Sequence, residues 1–363
     1  MKREISKSKI LIALSGGIDS AVSVLELQKK GFEVIGIHFK MLPRLGESGL
    51  EDAQNVAGQL KIELKVKDIS QDFKKEVLDN FIKEYQSGRT PNPCTLCNKK
   101  IKFKYLLEVA DELGIKLVAT GHYAGITKKD RNFYISRAKD VKKDQSYFLY
   151  KLKQKELTRI IFPLCDFTKS EVKEKAIEFG LKISSKESQD VCFMKKDETL
   201  KDFLSPQISC VSGEIVTEDK GTLGRHEGLA FYTIGQRRGL SINGGPFYVA
   251  AKNINSNTII VTKNKDNLKL NPHTVFFENS SWAGDSPSEG IEYLVKTRYL
   301  AKESKARIIK LKQDMYIAHL VDSQWAVTPG QSLVVFDGEL VVDGGMITDV
   351  KYSWLRLLFC YNQ

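Results

Sequence analysis

The stretch that decides the fold is Lys9–Gly31, KILIALSGGIDSAVSVLELQKKG. Ile10–Leu14 is typical of a short buried strand, and Asp19–Lys30 has the pattern of a helix that ends at Gly31. Between them lies SGGIDS, where the glycine pair lets the backbone approach an anion without an intervening Cβ. The helix N-terminus adds free N–H groups and the positive end of a dipole. We therefore predict an anion-binding turn; the alternative is an ordinary glycine-containing turn with Asp19 near the N-cap.

This turn differs from the phosphate loop GxxxxGK[ST] because it contains no lysine. Without a lysine aimed at the terminal phosphates, transfer of the γ-phosphoryl group is a less natural reaction for it.

The alternation of strands and helices continues to about residue 123. Further strands are predicted at Phe32–Phe39, Ile62–Ile69 and Lys116–Thr120, further helices at Leu50–Leu60, Asp72–Gln86 and Ile101–Leu113, and a proline-rich loop at Gly88–Asn98. This pattern favours an α/β fold with a doubly wound parallel sheet. Ligands of such sheets bind beyond the carboxyl ends of the strands.

The second half of the chain has a different texture, with short alternating apolar runs separated by turn residues. This is typical of β structure. We expect three domains: an α/β catalytic domain over residues 1–204, a small β-rich central domain over 205–280, and a C-terminal β-barrel over 281–363. A helix at Lys169–Phe179, with a capping box formed by Thr168 and Glu171, belongs to the first of these.

Charge is distributed unevenly along the 363 residues. Of the 56 Lys and Arg residues, 38 lie in the first 200 positions with 28 of the 45 acidic residues, so almost all of the net charge of +11 belongs to that part. The excess favours a polyanion partner, nucleic acid ahead of membrane; a lysine-rich surface with no partner is the alternative.

Composition excludes several classes of protein. Apolar residues make up 42% of the chain, which excludes a wholly disordered protein. No apolar run reaches the roughly 18 residues of a membrane-spanning helix. The apolar run near the N-terminus is too short for a cleavable signal. We therefore expect a cytoplasmic protein.

Three of the six cysteines are candidates for chemistry. Cys94 and Cys97 form a CxxC pair that fits a redox pair, whereas a zinc site would call for a second CxxC. Cys192 lies in another predicted loop; a buried structural cysteine is the alternative there. Nearby cations lower thiol pKa values, and four follow the CxxC pair: Lys99, Lys100, Lys102 and Lys104. The remaining cysteines match no motif: Cys165, Cys210 and Cys360.

Polar residues form a second candidate group. His122 follows the strand Lys116–Thr120 and so lies at the ligand-binding edge of the sheet; a structural histidine is the alternative. The loop Lys143–Gln145 is either solvated or a contact surface. The aromatic residues after it are typical either of base stacking or of a core: Tyr147, Phe148 and Tyr150.

Eight motifs in a fixed order resemble those of known enzymes. SGGIDS resembles the signature of the ATP pyrophosphatase (PP-loop) superfamily, which cleaves ATP between the α- and β-phosphates and adenylates an acceptor oxygen. Seven more motifs, over nearly the whole chain, resemble the bacterial tRNA-specific 2-thiouridylases: GRTPNPCTLCNKKIKF, TGHYA, KDQSYFLY, DVCF, TIGQRRGL, VKTRYL and TPGQS. SGGIDS by itself also occurs in small-molecule amide ligases and synthetases.

The resemblance implies roles for individual residues. Those at the ATP would be Ala13, Leu14, Ser15, Gly16, Gly17, Ile18, Asp19 and Ser20, with Phe39 and Gly121 near the adenosine. Phe39 stands where the family often has Met. Those at the target base would be Asn92, Pro93 and Cys94, and those on the tRNA His122, Lys143, Asp144, Gln145, Arg298, Tyr299 and Gln331. Cys192 would carry a persulfide and Cys97 would be its partner nucleophile. Some members have an acidic residue, with an acid/base role, at the position of Cys94.

The resemblance also implies a reaction. ATP, with Mg²⁺, would adenylate the C2 oxygen of the wobble uridine (uridine 34) in tRNAs of the Lys, Glu and Gln type. Sulfur from a sulfur-relay protein or a cysteine desulfurase would then give 2-thiouridine and AMP, with a disulfide formed between Cys97 and Cys192. In an alternative mechanism, Cys94, Cys97 and Cys192 hold a [4Fe–4S] cluster.

Two other classes of function remain open. One is a PP-loop ligase that adenylates a small carboxylate. The other is a non-catalytic RNA-binding module whose cysteines hold zinc.

Overall fold

The computed structural model describes residues 8–42, 48–182, 191–195, 197–284, 290–312 and 314–352. Its α-helices are α1 (Ile18–Lys29), α2 (Ser48–Leu60), α3 (Ser70–Phe73), α4 (Asp79–Gln86), α5 (Pro93–Cys97), α6 (Phe103–Glu112), α7 (Gln154–Leu157), α8 (Lys169–Glu178) and α9 (Leu200–Leu204). Two π-helical segments, Lys74–Leu78 and Asn98–Lys102, and three 3₁₀ turns, Ser146–Phe148, Leu229–Phe231 and Leu268–Leu270, complete the helical structure of these residues. Within the described ranges, no helix has both the length and the apolar character needed to cross a membrane.

The strands of the first half are β1 (Lys9–Ala13), β2 (Glu33–Lys40), β3 (Glu63–Asp68), β4 (Leu117–Ala119), β5 (Gly125–Lys129), β6 (Asn132–Ser136) and β7 (Ile160–Ile161). Those of the second half are β8 (Gly213–Thr217), β9 (Thr222–His226), β10 (Tyr248–Asn253), β11 (Thr258–Thr262), β12 (Thr274–Glu278), β13 (Glu292–Lys296), β14 (Ser304–Lys312), β15 (Met315–Leu320), β16 (Ser332–Asp337) and β17 (Leu340–Lys351). The described residues form two compact units, one drawn from 1–78, 93–196 and 339–342 and the other from 79–92, 197–338 and 343–363.

The first unit is built on a five-stranded sheet with the order β3-β2-β1-β4-β7, and the register of every neighbouring pair is parallel. Ile10 and Ile12 of β1 point into an apolar cluster with α1 and α2. Leu11, which strand alternation places on the opposite face, is also fully buried. Both faces of the sheet are therefore covered, and the predicted doubly wound α/β fold is confirmed.

Several predicted boundaries were wrong around the CxxC pair. The predicted loop Gly88–Asn98 contains a helix, α5, because Pro93 at its first position has a backbone suited to starting a helix. The predicted helices Asp72–Gln86 and Ile101–Leu113 are each joined to a π-helical segment, Lys74–Leu78 and Asn98–Lys102. The helix α8 is confirmed, and Thr168 and Glu171 form its predicted capping box.

The second unit is rich in β structure. β10, β11, β8 and β9 form a four-stranded sheet. β12, β15, β14, β13, β16 and β17 follow one another in a second sheet, and β12 also pairs with β17, which closes a barrel. The C-terminal β-barrel is confirmed; the exact domain limits at 204 and 280 stay a prediction.

Candidate active site

The glycine-rich turn lies between β1 and α1 and is closed by its own serine hydroxyls. Ser20 Oγ donates to the Gly17 carbonyl oxygen (2.9 Å), and the Ser15 amide donates to Ser20 Oγ (3.3 Å). Gly17 is the N-cap of α1, and no side chain caps this helix end. Its first N–H groups therefore remain available to an anion, as the sequence predicts.

Gly16 is required for the turn by conformation and by space. Its φ of +83° lies in the left-handed region, and a Cβ there would stand 2.5 Å from Asp52 Cβ and 2.7 Å from the Ala53 amide nitrogen. Gly17 is different, because a Cβ there would meet only Ser15 Oγ, at 3.5 Å. Gly16 thus allows α2 to approach, while Gly17 leaves the anion side of the turn open.

The strand order places this turn beside the end of β4. The sheet changes direction of growth between β1 and β4, which is the position where doubly wound sheets bind ligands. A Cβ on Gly121 would lie 2.9 Å from the Ser20 amide nitrogen, so glycine lets the first turn of α1 pack closely on the segment after β4. Gly121 and the SGGIDS turn, predicted to share the ATP site, are therefore adjacent.

Asp19 of the turn is held by two residues that sequence reasoning missed. Lys169 Nζ donates to Asp19 Oδ1 at 2.5 Å, and Tyr123 Oη donates to the same oxygen at 2.7 Å. Lys169 stands 150 positions after Asp19, at the first residue of α8. A cation at that position opposes the helix dipole, and this is the one sequence signal that marks it as unusual. The structure thus supplies the lysine that the turn itself lacks.

The other predicted ATP residues are largely buried. Leu14 and Phe39 are 2% and 7% exposed. Ile18 packs with Val22 and Tyr123 in an apolar cluster, and Ala13 is the last residue of β1. These side chains belong to the packed interior of the unit, and the polar groups of the turn are its backbone and the hydroxyls of Ser15 and Ser20.

Three cysteines meet one lysine in the first unit. Cys94 and Cys97 belong to α5, and Cys192 belongs to the turn after residue 190. The ammonium of Lys102 interacts electrostatically with all three thiols. Cys97 and Cys192 are both free thiols, and no disulfide bond joins cysteines of the described residues.

Burial changes the pKa values of the thiols more than the nearby lysines do. Desolvation raises the pKa of Cys97 to about 12, against the opposing charge of Lys102. Desolvation also raises the pKa of Cys192, although its side chain is exposed at the surface. For Cys97, the prediction that the following lysines lower the thiol pKa was therefore wrong in its net direction. Lys99 is paired with Glu156 at 2.5 Å instead.

His122 lies against the same lysine. Its Nδ1 is 2.7 Å from Thr120 Oγ1, and its ring stacks on Phe103 with centroids 5.9 Å apart. Burial, assisted by the charge of Lys102, lowers the pKa of His122 to about 3. The imidazole is therefore neutral at physiological pH and acts as a hydrogen-bonding group, not as a cation for phosphates.

The loop Lys143–Gln145 divides between internal and external roles. Asp144 is buried and accepts hydrogen bonds from the Ala138 amide (3.0 Å) and Ser146 Oγ (2.7 Å). Gln145 Oε1 accepts from the Tyr123 amide at 2.9 Å. Lys143 alone exposes its side chain. Of the two interpretations of the neighbouring aromatic residues, base stacking and core packing, the structure shows core packing for Tyr147 and Tyr150, which are buried.

The remaining predicted residues belong to the second unit. Gln331 Nε2 donates to the carbonyl oxygens of Thr90 (2.9 Å) and Pro91 (3.2 Å), and so holds the segment that leads to Asn92. Arg298 donates to the carbonyl oxygens of residues 325 and 326 and lies 5.6 Å from the centre of the Trp325 ring. Tyr299 and Asn92 are partly exposed. Gln331 and Arg298 therefore shape loops by bonding to backbone.

The thiols do not fit a metal cluster in this arrangement. Among the described residues, no three His, Cys, Asp or Glu side chains are placed to hold one metal ion. Lys102 is the charged group that acts most strongly on Cys97 and Cys192, and its ammonium repels a metal cation placed beside the same sulfur atoms.

An uncapped helix N-terminus at the switch point of a parallel sheet, with three thiols around one lysine in the same unit, is typical of a nucleotide-using α/β enzyme. Three family models match: a tRNA methyl transferase HUP domain over residues 8–196, a tRNA methyl transferase PRC-barrel domain over 201–263, and an aminomethyltransferase beta-barrel domain over 273–347.

Full-length relatives define the family more closely. The chain is 38% identical to the tRNA-specific 2-thiouridylase MnmA of Ralstonia nicotianae, over 97% of this chain and 99% of the relative. It is 41% identical to the protein of the same name from Syntrophomonas wolfei, over 93% and 99%. The chain belongs to the family of tRNA-specific 2-thiouridylases. A solved 4-thiouridine synthetase bound to RNA and ATP is also similar (24% identity, 48% of this chain, 41% of that chain, TM-score 0.33), but a score this low supports no conclusion.

Proposed function

We propose that this protein is a tRNA 2-thiouridylase, a sulfurtransferase that uses ATP to convert the wobble uridine of tRNA to 2-thiouridine. The observation that carries the proposal is 38% identity over 97% of the chain to a relative of that name. The first compact unit supports it, because an anion-binding turn and a cluster of thiols supply the two chemistries that this conversion needs.

The first step is activation of the base. The C2 oxygen of the uridine attacks the α-phosphate of ATP and pyrophosphate leaves. The N–H groups at the start of α1, with Ser15 and Ser20, hold the phosphates. Lys169, drawn in by Asp19, adds a cation beside them. Asp19 Oδ1 already accepts from Lys169 and Tyr123, so the second carboxylate oxygen, Oδ2, would be the one to hold the Mg²⁺ that accompanies ATP. When bound, the ion would offset phosphate charge.

The second step is sulfur transfer. Cys192, the more exposed thiol, accepts sulfur as a persulfide from a donor protein. The terminal persulfide sulfur bonds to C2, and AMP leaves with the C2–O bonding pair. The thiolate of Cys97 then attacks the Cys192 sulfur. The sulfur–sulfur bond breaks, its electron pair goes to the sulfur on C2, and 2-thiouridine is released. A disulfide between Cys97 and Cys192 remains, and an external thiol reduces it.

The proposed partners follow from charge and chemistry. tRNAs of the Lys, Glu and Gln type are the substrates, and a sulfur-relay protein or cysteine desulfurase is the donor. Both meet the enzyme in the cytoplasm. The basic excess of residues 1–200 supports binding to RNA phosphates, which release counterions. The affinity for tRNA is therefore expected to fall steeply with salt, and a salt-independent affinity would leave the lysines as simple surface charge.

The test combines two readouts. The purified protein is given ATP and unmodified tRNA, pyrophosphate release is followed, and 2-thiouridine at the wobble position is measured by mass spectrometry of digested tRNA. We expect tRNA-dependent pyrophosphate release in the wild type and in Cys192→Ser, but 2-thiouridine only in the wild type. Asp19→Asn should lose both products while it still binds tRNA.

The other two classes of function give different results. A ligase for small carboxylates releases pyrophosphate without tRNA, and an RNA-binding module releases none. Either result would refute the proposal.

A further inference from the structure

The segment between α5 and α6 is wound as a π-helix, over Asn98–Lys102. In an α-helix, with 3.6 residues per turn, a residue five positions on from Cys97 lies on a different face. The i→i+5 repeat of a π-helix instead puts residues five apart on one face. Cys97 and Lys102 are five apart, so this winding brings the lysine to the side of the thiol. Single π turns are rare in proteins and are frequent at functional sites.

The surroundings of Lys102 are thiols and not carboxylates. Its ammonium interacts electrostatically with Cys94, Cys97 and Cys192. Within the part of the chain that the structure describes, no carboxylate lies in ion-pair distance of Lys102, whereas the neighbouring Lys99 is paired with Glu156 at 2.5 Å. Lys102 is partly buried and Lys100 is exposed. Among the described residues, Lys102 therefore forms no ion pair with a carboxylate, and its positive charge acts on the three sulfur atoms.

Sulfur transfer creates negative charge in this place. The terminal sulfur of a Cys192 persulfide attacks as an anion, and Cys97 must then attack as a thiolate. Cys97 is buried, and an anion at such a desolvated position is costly unless an opposite charge is fixed beside it. Burial keeps Cys97 protonated in the resting enzyme, and the Lys102 charge opposes this. His122 also faces Lys102, but it is neutral and cannot take over the role.

We propose that Lys102 supplies the fixed positive charge that stabilises the sulfur anions of both bond exchanges, and that the π turn exists to place it there. This inference rests on the proposed function. Its atoms and electrons are those of the sulfur-transfer step above: Lys102 keeps its proton, forms no covalent bond, and acts through its charge. The proton of Cys97 leaves to solvent.

The experiment separates sulfur transfer from base activation. Cys192 is first loaded as a persulfide with a cysteine desulfurase and cysteine, and the loaded fraction is measured by mass spectrometry. Single-turnover formation of 2-thiouridine, tRNA-dependent pyrophosphate release and tRNA Kd are then compared in the wild type, Lys102→Met, Lys102→Gln and Lys102→Arg. Lys100→Met is the matched control, because it removes an exposed lysine from the same π turn.

We expect Lys102→Met to lower the thiolation rate per loaded enzyme about 100-fold, as for loss of other preorganised charge-stabilising groups. Pyrophosphate release and tRNA Kd should stay close to their wild-type values, because neither step forms a sulfur anion. Lys102→Arg keeps the charge and should recover most of the rate, and Lys100→Met should behave as wild type. If Lys102 were only structural, we would not expect Lys102→Arg to recover the thiolation rate and Lys102→Met to leave base activation unchanged. If Lys102→Met lowers Tm, Lys102→Gln, the second neutral variant, is used to measure the thiolation rate without the Lys102 charge.

Three results would overturn the inference. These are a neutral variant that thiolates at the wild-type rate, an equal loss of pyrophosphate release, or an arginine variant as slow as methionine at unchanged Tm. Failure of the wild type to release pyrophosphate with tRNA would instead refute the proposed function, so the two failures are distinguishable.

Discussion

Replacing Gly16 by alanine should damage the phosphate turn through two separable effects. The first is conformational: its φ is +83°, and the left-handed region costs an L-residue about 1–2 kcal/mol. The second is steric: the new Cβ would stand 2.5 Å from Asp52 Cβ and 2.7 Å from the Ala53 amide nitrogen. Overpacking of this kind costs about 1–3 kcal/mol. The sum predicts a loss of about 2–5 kcal/mol for Gly16→Ala.

Gly31 provides the matched control. Its φ of +86° is almost the same, but a Cβ there meets nothing within 4 Å. Gly31→Ala should therefore lose only the conformational part, about 1–2 kcal/mol. Gly17→Ala should fold normally, since the added Cβ makes an ordinary 3.5 Å contact with Ser15 Oγ. It should nevertheless hinder the approach of phosphate and lower pyrophosphate release.

The assay is thermal unfolding followed by circular dichroism, together with pyrophosphate release. For a unit of this size, 1 kcal/mol moves Tm by about 2–4 °C. Gly16→Ala should therefore unfold several degrees below Gly31→Ala. Equal shifts in the two variants would refute the clearance argument and leave only the left-handed backbone as the reason for glycine at position 16.

Three further predictions concern charge and protonation. Lys169→Met should raise the KM for ATP about tenfold or more, as expected for the loss of a charge-assisted hydrogen bond. Lys173→Met, which removes an exposed lysine from the same helix, should keep a KM near that of the wild type. Equal KM values in the two variants would remove Lys169 from the ATP site. Iodoacetamide at pH 8 should label exposed Cys192 well before buried Cys97, whose pKa is about 12, and peptide mass spectrometry showing equal labelling would contradict the burial of Cys97. Folding lowers the pKa of His122 to about 3, so as the pH falls the unfolded chain binds the proton before the folded one. The stability that the neutral ring contributes is therefore complete above pH 6.5 and is lost as the pH falls toward 3. In urea unfolding, His122→Asn should lose less stability in acid than the wild type, and parallel pH profiles of the two proteins would contradict the shift.

The sequence alone determined those features that depend on neighbouring residues. Alternating strand and helix periods predicted the parallel sheet, and the pair Gly16-Gly17 before a helix predicted the anion turn. Thr168 and Glu171 predicted the start of α8, because a capping box is closed within three residues. The short alternating runs of the second half predicted the β-barrel, since strand period follows from local backbone geometry.

Only the tertiary structure decided how distant groups act on one another. Lys169 reaches Asp19 across 150 positions, and the π turn moves Lys102 to a face that helical spacing assigns to other residues. Asp144, which looks like part of a solvated charged loop, is buried and bonded to backbone. Cys97 shows the reason most plainly: its lysine-rich neighbours in sequence favour a low thiol pKa, but the cost of burying charge outweighs their attraction and raises it. Desolvation and close electrostatic contact depend on long-range packing, which no local pattern of residues records.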